Sequence, residues 1–493
     1  MTHDLTPDEY RTLLLHAPGS AFDADTEQPD LLRMFTPSSH RRALDPDVTV
    51  VLGARGTGKT YWTKVLETEE LRKVAAASYM IPRLSGLNVT TGHGRGGGSG
   101  AAYPTRKIIR KLVQQAPDDG EEFGEFCENF WFAVILVALE VPAVVHLPSW
   151  HARIDWVAEH PEECESALWD RDRDAQQNGS PHLLIFDALE HLHQDRSVVD
   201  RLVSALFAVA LDMRLSFRSI RAKIFVRPDM YASAPKDFAD ASKLDANRAE
   251  LTWTPENLYG MLFHRLGNQP GPEAEKFRAL TGPWHPQGEG RYTAPVEVIA
   301  DPERQEKVFG DMAGLHMGSD HRKGYTYTWL PNHLQDGNGE ISPRTMLRAV
   351  SKAAEVTRDR HPGHEFALHH DAIRQAVQDA SQIRVAEIKE DIRWAATAVE
   401  KLRGTQVPME PSVVIHIWST ESLATELRKL LEDSEDGSGP ADVGDYFGLI
   451  KELTALGVMT ERASGAVDLP DVYRLAFDIG RKGGVSRPRR TAK

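Results

Sequence analysis

The residues with the sharpest chemical meaning are Gly53-Ala54-Arg55-Gly56-Thr57-Gly58-Lys59-Thr60, which match G-x-x-x-x-G-K-[ST] at every fixed position. Each residue type answers a need of a polyphosphate ligand. Glycines let backbone N–H groups turn inward around phosphate oxygens, where bulkier residues would block the approach. Lys59 brings a point charge to the β- and γ-phosphates of a nucleotide, and Thr60 brings a hydroxyl to its Mg²⁺. A helix opening here aims its positive end at the same anion. The flanks supply the required setting: Val48–Leu52 (VTVVL) reads as a continuous, β-branched buried strand and Tyr61–Leu71 as the helix that follows.

A phosphate loop of this kind needs an acid on a neighbouring strand to hold the metal's water shell. Asp187 stands directly after Leu183–Phe186 (LLIF), a second buried strand, and is assigned to the metal with Thr60. Glu190, three residues on, is the candidate general base that polarises the attacking water; a solvated helix carboxylate is the other reading. A third strand, Ile224–Val226, ends in Arg227, at the strand tip where ligands bind in open α/β sheets. Arg227 is placed to sense the γ-phosphate and Asp229 to orient it. Ser342-Pro343-Arg344 opens a later helix from which Arg344 or Arg348 would reach back to the nucleotide.

The elements that position these residues alternate strand and helix, with Leu87–Thr90 and Glu250–Trp253 as further strands, which predicts a parallel α/β sheet covered on both faces. With 493 residues the chain is long enough for roughly three domains. Residues 1–45 read as a helical lead-in, with TPDEYRTLLL carrying an N-cap Thr and acids in its first turn. The nucleotide-binding core is expected over 46–253, interrupted by a long insertion at 72–182 that contains helices over Thr105–Gln115, Glu121–Leu139 and, past it, Val198–Met213. Residues 254–404 read as a helical lid, with helices over Thr254–Leu266, Ser342–Arg358 and Glu365–Arg384. A Pro-containing linker at 405–412 leads to helix, helix, helix and two short strands, Val458–Glu461 and Ala466–Leu469, around Arg462-Ala463-Ser464-Gly465. That order predicts a winged-helix domain over 405–480, followed by a basic tail at 481–493.

Taken together, the glycine-rich loop, LLIFDALEHL, the KIFVR strand and the helix begun by Ser342-Pro343-Arg344 resemble the STAND branch of the AAA-type P-loop ATPases. Asp187-Ala188-Leu189-Glu190 has the NACHT-like shape of a small residue after the first acid and a second acid two later, in place of adjacent acids. The resemblance covers roughly 46–355, with a weaker match at 413–480, and leaves 72–182 unaccounted for. It implies a P-loop NTPase core with a helical lid and a C-terminal winged helix. It also implies a Mg²⁺-dependent ATPase acting as a switch or assembly device, of the kind found in multi-protein bacterial antiviral systems. Arg at the tip of the third strand fits that branch. AAA-type sites often borrow an Arg from a neighbouring subunit, so a homo-oligomer is in view, with Arg214, Arg218 and Arg221 as donors. Two other readings stand beside it: a nucleotide-gated scaffold with little hydrolysis that docks an effector, and a DNA-loading or partition ATPase. The loop does not choose between ATP and GTP.

Composition narrows the classes. A net charge of −14 means that nucleic acid would need a local basic patch. The six basic residues of Arg481–Lys493, behind the winged helix, are the candidate, although Leu430–Asp445 is acidic. Two cysteines, Cys127 and Cys164, form no CxxC pair, which argues against a structural zinc site, and so few fit a reducing cytoplasm. The apolar run Phe130–Leu139 is half the length of about 20 residues that spans a bilayer, so it reads as a buried helix and no membrane is expected. Gly92–Gly97 matches G-x-G-x-x-G, but Tyr103-Pro104 follows where a dinucleotide site requires a helix; residues 92–104 read as a flexible loop. His364-Glu365 with His369-His370 has HExxxH spacing, which on one helix would separate the ligands, so it reads as a solvated capping cluster.

Overall fold

The computed structural model describes residues 5–18, 29–95, 103–117, 120–432 and 439–481. They fall into two compact units, Ser38–Thr252 and a second formed by Met1–Pro37 with Trp253–Ser434 and Gly439–Lys493.

The first unit is an α/β layer structure. Its sheet has five strands: β1 (Val50–Leu52), β2 (Asn88–His93), β3 (His182–Phe186), β4 (Ile220–Val226) and β5 (Arg248–Glu250), in the order β2-β3-β4-β1-β5. Every neighbouring pair is parallel, with Val51 opposite Phe225 on one side and Ala249 on the other. Parallel strands need crossover connections, and the insertion supplies them as helices. Gly120–Ala138 and Arg196–Ser216 pack in one core with the sheet. The Trp131 indole anchors it, donating to the Leu202 carbonyl at 2.7 Å and standing edge-on to Phe186 at 5.5 Å. Phe130–Leu139 is thus buried helix and turn, and among the described residues no helix is long and apolar enough to cross a membrane.

Three expectations shift here. β2 runs on to His93, so Gly92 and His93 belong to the sheet and not to a loop. A Cβ on Gly92 would lie 2.5 Å from the Phe186 ring, so glycine is what lets β2 approach β3. Residues 96–102 of the glycine-rich run lie outside the described residues. β4 begins four residues earlier than its apolar run because Lys223 is buried inside it. The Lys223 ammonium donates to the carbonyls of Ala43 (2.9 Å), Asp45 (2.9 Å) and Val48 (2.8 Å), which satisfies all three of its N–H groups. β5 occupies Arg248–Glu250, two residues before the expected Glu250–Trp253; Leu251 still joins it, donating its N–H to Leu52 O at 2.7 Å.

The second unit is mainly helical. Thr6 and Glu9 close a capping box at the start of Pro7–His16, each side chain accepting the other's backbone N–H. That helix packs against Pro343–Arg360, which packs against His370–Asp391. The expected helix over Glu365–Arg384 therefore starts only at His370. A short antiparallel hairpin, His285–Gly288 with Arg291–Thr293, interrupts the helices of 254–404. A separate apolar core gathers residues 385–479, including Trp394, Trp418, Leu453 and Tyr473. Here lie helices Pro411–Thr420, Leu423–Glu432 and Tyr446–Ala455, then an antiparallel pair, Thr460–Glu461 with Val467–Asp468, turned at Gly465. The expected linker is more than a connection, since Gln406–Val407 pairs in parallel with Gly480–Arg481. Residues 482–493 of the basic tail lie outside the described residues.

Candidate functional site

The strand order reverses at β1. From β1 the chain crosses to the far edge, returns through β3 and β4, and then passes over β1 to β5. A crevice outside the carboxyl ends of the strands forms at such a point, and Gly53–Gly58 follows β1 directly into it. The loop is fastened at its base by the Gly53 N–H, which donates to Val226 O on β4 at 3.1 Å. Gly58 precedes the helix Lys59–Glu67 with φ 105°, a conformation that favours glycine. At Gly53 a Cβ would meet Thr57 Oγ1 at 2.6 Å and Lys59 Cγ at 2.9 Å. Thr57 Oγ1 donates to Ala54 O at 2.8 Å and Lys59 Nζ to Gly53 O at 2.9 Å, so the lysine is held over the loop it serves.

Around Lys59 the three strand tips converge. The Thr60 hydroxyl lies beside the carboxylate of Asp187 and favours its charged form. Asp187 is 2 % exposed; burial pushes its carboxyl above the usual range and nearby Glu190 adds to this, against the pull of Lys59 and Thr60. Such a carboxylate calls for a cation, and the Thr–Asp oxygen pair is the hard donor set that Mg²⁺ takes. Burial would raise Glu190 too, but Lys59, Arg227 and His191 together hold it below the usual range. Lys59 is lowered by its burial, with Glu190 and Asp187 opposing. Arg227 follows the last residue of β4, and its guanidinium forms a two-pronged pair with Asp229, Nε–Oδ1 2.9 Å and Nη2–Oδ2 2.7 Å. Asp229 and Glu190 keep it firmly charged despite burial.

Ala188, between the two acids, has φ 57°. A left-handed alanine is strained, and here it turns the chain from β3 into the Leu189–His191 turn that carries Glu190. His93 is a neighbour that sequence reasoning missed. Its Nδ1 donates to Asp187 O at 2.8 Å while its own carbonyl accepts the Asp187 N–H at 2.9 Å. Burial lowers the His93 imidazole to about 4, so it is a neutral fixture that sets the backbone of Asp187. The signal was available as a polar residue closing a strand, but the glycines around it read as loop.

The structure thus brings together Lys59, Thr60, Asp187, Glu190, Arg227 and Asp229. Arg344 belongs to the other unit, where its Nη1 lies 3.5 Å from Glu387. Arg221, a candidate for donation to another subunit, is committed inside its own, with Nε on Asp47 at 2.9 Å and Nη1 on the carbonyls of Phe217 and Ile220.

A phosphate loop at the switch point of a five-stranded parallel sheet defines this unit as a P-loop NTPase core. No protein-family profile matches the chain, and no curated protein does. Among solved structures it is similar to the ORC2 protein of Aeropyrum pernix in its ADPNP–ADP complexes, at 15% identity and TM-score 0.35, covering 87% of this chain and 84% of that one. The ADP form of the same protein aligns at 14% identity and TM-score 0.31, covering 91% and 92%.

Proposed function

We propose that this chain is a Mg²⁺-dependent ATPase that works as a switch or assembly device. The observation that carries the reading is the convergence of Lys59, Thr60–Asp187 and Glu190 at one crevice. In this reading Gly53, Ala54, Arg55, Gly56, Thr57 and Gly58 wrap the phosphate chain with backbone N–H groups, and Lys59 leaves its loop carbonyls for the phosphate oxygens. Thr60 and Asp187 would hold Mg²⁺, which would supply charge neutralisation to the phosphates. Glu190 takes a proton from water as that water's oxygen bonds to the γ-phosphorus. The bond to the bridging oxygen breaks, and its electron pair leaves with the diphosphate. Arg227, held by Asp229, faces the charge developing on the γ-phosphoryl group.

A specific observation favours slow turnover, and with it the reading as a nucleotide-gated scaffold. The cations around Glu190 keep its carboxylate weakly basic, which lowers its power to take a proton. The elements of 411–468 have the helix and hairpin order of a winged helix, which supports a docking module for a protein effector or DNA. Membership of a multi-protein bacterial defence system rests on the STAND-like motif pattern alone. The test is nucleotide binding and turnover by the purified chain beside Lys59→Ala and Glu190→Gln. Binding lost in the first, with turnover lost but binding kept in the second, supports the ATPase. Binding without turnover in every variant, with DNA present or absent, moves the conclusion to the scaffold, and no binding at all ends both.

A further inference from the structure

The helical unit carries a second cluster of chemistry that the nucleotide site does not use. Between helices Pro343–Arg360 and His370–Asp391 the chain places His361, His364, His369 and His370 together. His369 is the hub. His361 stacks on it at 3.9 Å and His370 at 4.1 Å between ring centroids, and His364 meets it edge-on at 4.6 Å. Ligand atoms of His369, His370 and Asp371 all lie within 4.8 Å of one another. Residues 361–369 lie outside any helix, so His364 and His369 are not held apart on helix faces, and His370 and Asp371 open the helix that follows.

The loop is also held in place by groups outside the cluster. Buried Arg11 donates to the carbonyls of Ala367 (3.2 Å), Phe366 (3.3 Å) and His364 (3.4 Å). Thr357 accepts the N–H of His369 on its hydroxyl at 2.9 Å and that of His361 on its carbonyl at 2.8 Å. The Leu368 N–H is taken by Met312 O at 2.9 Å. Imidazoles gathered on a fixed backbone, beside a carboxylate, are the donor set that selects late first-row divalent ions over Mg²⁺ or Ca²⁺. Nitrogens around a tetrahedral Zn²⁺ at ~2.1 Å stand about 3.4 Å apart, so the present spacing closes by side-chain rotation.

We propose that His369, His370 and Asp371, with His364 as the fourth donor, form a binding site for a Zn²⁺-class divalent cation. One present bond must yield and another can stay. The His369 Nδ1 accepts the Asp371 N–H at 3.1 Å, and a ring ligating through Nε2 carries its proton on Nδ1 and releases that cap. Arg374 holds Asp371 Oδ1 at 2.6 Å, which leaves the other carboxylate oxygen for the ion. Ion occupancy therefore trades a helix cap for a metal bond at the start of His370–Asp391.

The test is calorimetric titration of the chelator-stripped full chain with Zn²⁺ in excess Mg²⁺, repeated in Asp187→Asn to separate any binding at the phosphate loop. The expected result is one ion per chain in both proteins, with affinity falling at least tenfold in His369→Ala and in His370→Ala but not in His151→Ala, an exposed histidine elsewhere. Absence of saturable binding, or equal affinity in the cluster variants, overturns the site. Should the variants unfold by circular dichroism, diethylpyrocarbonate labelling of the unaltered protein decides: Zn²⁺ protecting His369 and His370 supports the site, and unchanged labelling overturns it.

Discussion

Lys223 offers the most direct check on the physics of the core. Its ammonium is fully buried in β4 and bound to carbonyls of Ala43, Asp45 and Val48, the segment that delivers β1 and hence the phosphate loop. Burial lowers its pKa from 10.5 to about 7, against the pull of Asp45 and Asp47. In the unfolded chain the amine stays protonated until near its ordinary value. Between these two values the unfolded state binds more protons than the folded one, so stability rises with pH. Between pH 7 and 9 the folded amine goes from half protonated to almost none, while the unfolded amine hardly changes. At ~1.4 kcal/mol per unit, and with half the proton already lost at pH 7, the gain is about 2 kcal/mol. Lys223→Met removes the titration while keeping much of the side-chain volume. Urea unfolding of both proteins at pH 7 and pH 9, followed by circular dichroism, isolates the term. The stability difference should move by about 2 kcal/mol in favour of the unaltered protein at pH 9. Parallel pH profiles would refute the reasoning, because they would mean that the buried amine keeps its solution pKa.

Further outcomes follow from the site. Asp187→Asn should abolish Mg²⁺-dependent nucleotide binding, yet leave the nucleotide-free melting temperature unchanged or higher. The raised carboxyl means that the fold disfavours its charge at neutral pH, and a clear drop in melting temperature would contradict this. Ala188→Gly should stabilise the chain by up to about 1 kcal/mol in denaturant titration, since relief of a left-handed residue outweighs the entropy of glycine. Turnover in that variant should fall as the spacing of Asp187 and Glu190 loosens. Gly53→Ala should lose nucleotide binding in an equilibrium assay while remaining folded, because its Cβ displaces Thr57 and Lys59 from their places in the loop.

What could be read in advance was what local chemistry dictates. The phosphate loop, the acid after Phe186 and the Arg after Val226 lie on short segments whose residue types state their purpose, and the fold sets them at neighbouring strand tips. The boundaries that moved did so for non-local reasons. β4 looked short because Lys223 and Arg221 interrupt its apolar pattern, and only the distant carbonyls of 43–48 and the Asp47 carboxylate make those residues tolerable there. β2 looked like loop because Gly92 reads as punctuation until the Phe186 ring is seen against it.

The same logic explains why His93 went unseen and why it matters. The two hydrogen bonds between His93 and Asp187 tie the end of β2 to the end of β3 across the sheet. An imidazole kept neutral by burial adds direction without adding charge, so it can fix the Asp187 backbone without competing for the metal or for Lys59. Beyond it, Ala188 spends conformational strain to swing Glu190 back toward Lys59 and Arg227. The acid pair is therefore positioned from both sides: a histidine fixes the first carboxylate's backbone, and a strained alanine aims the second. Neither residue type would be chosen for phosphate chemistry from sequence, yet together they set where the Asp187 and Glu190 carboxylates stand in the crevice.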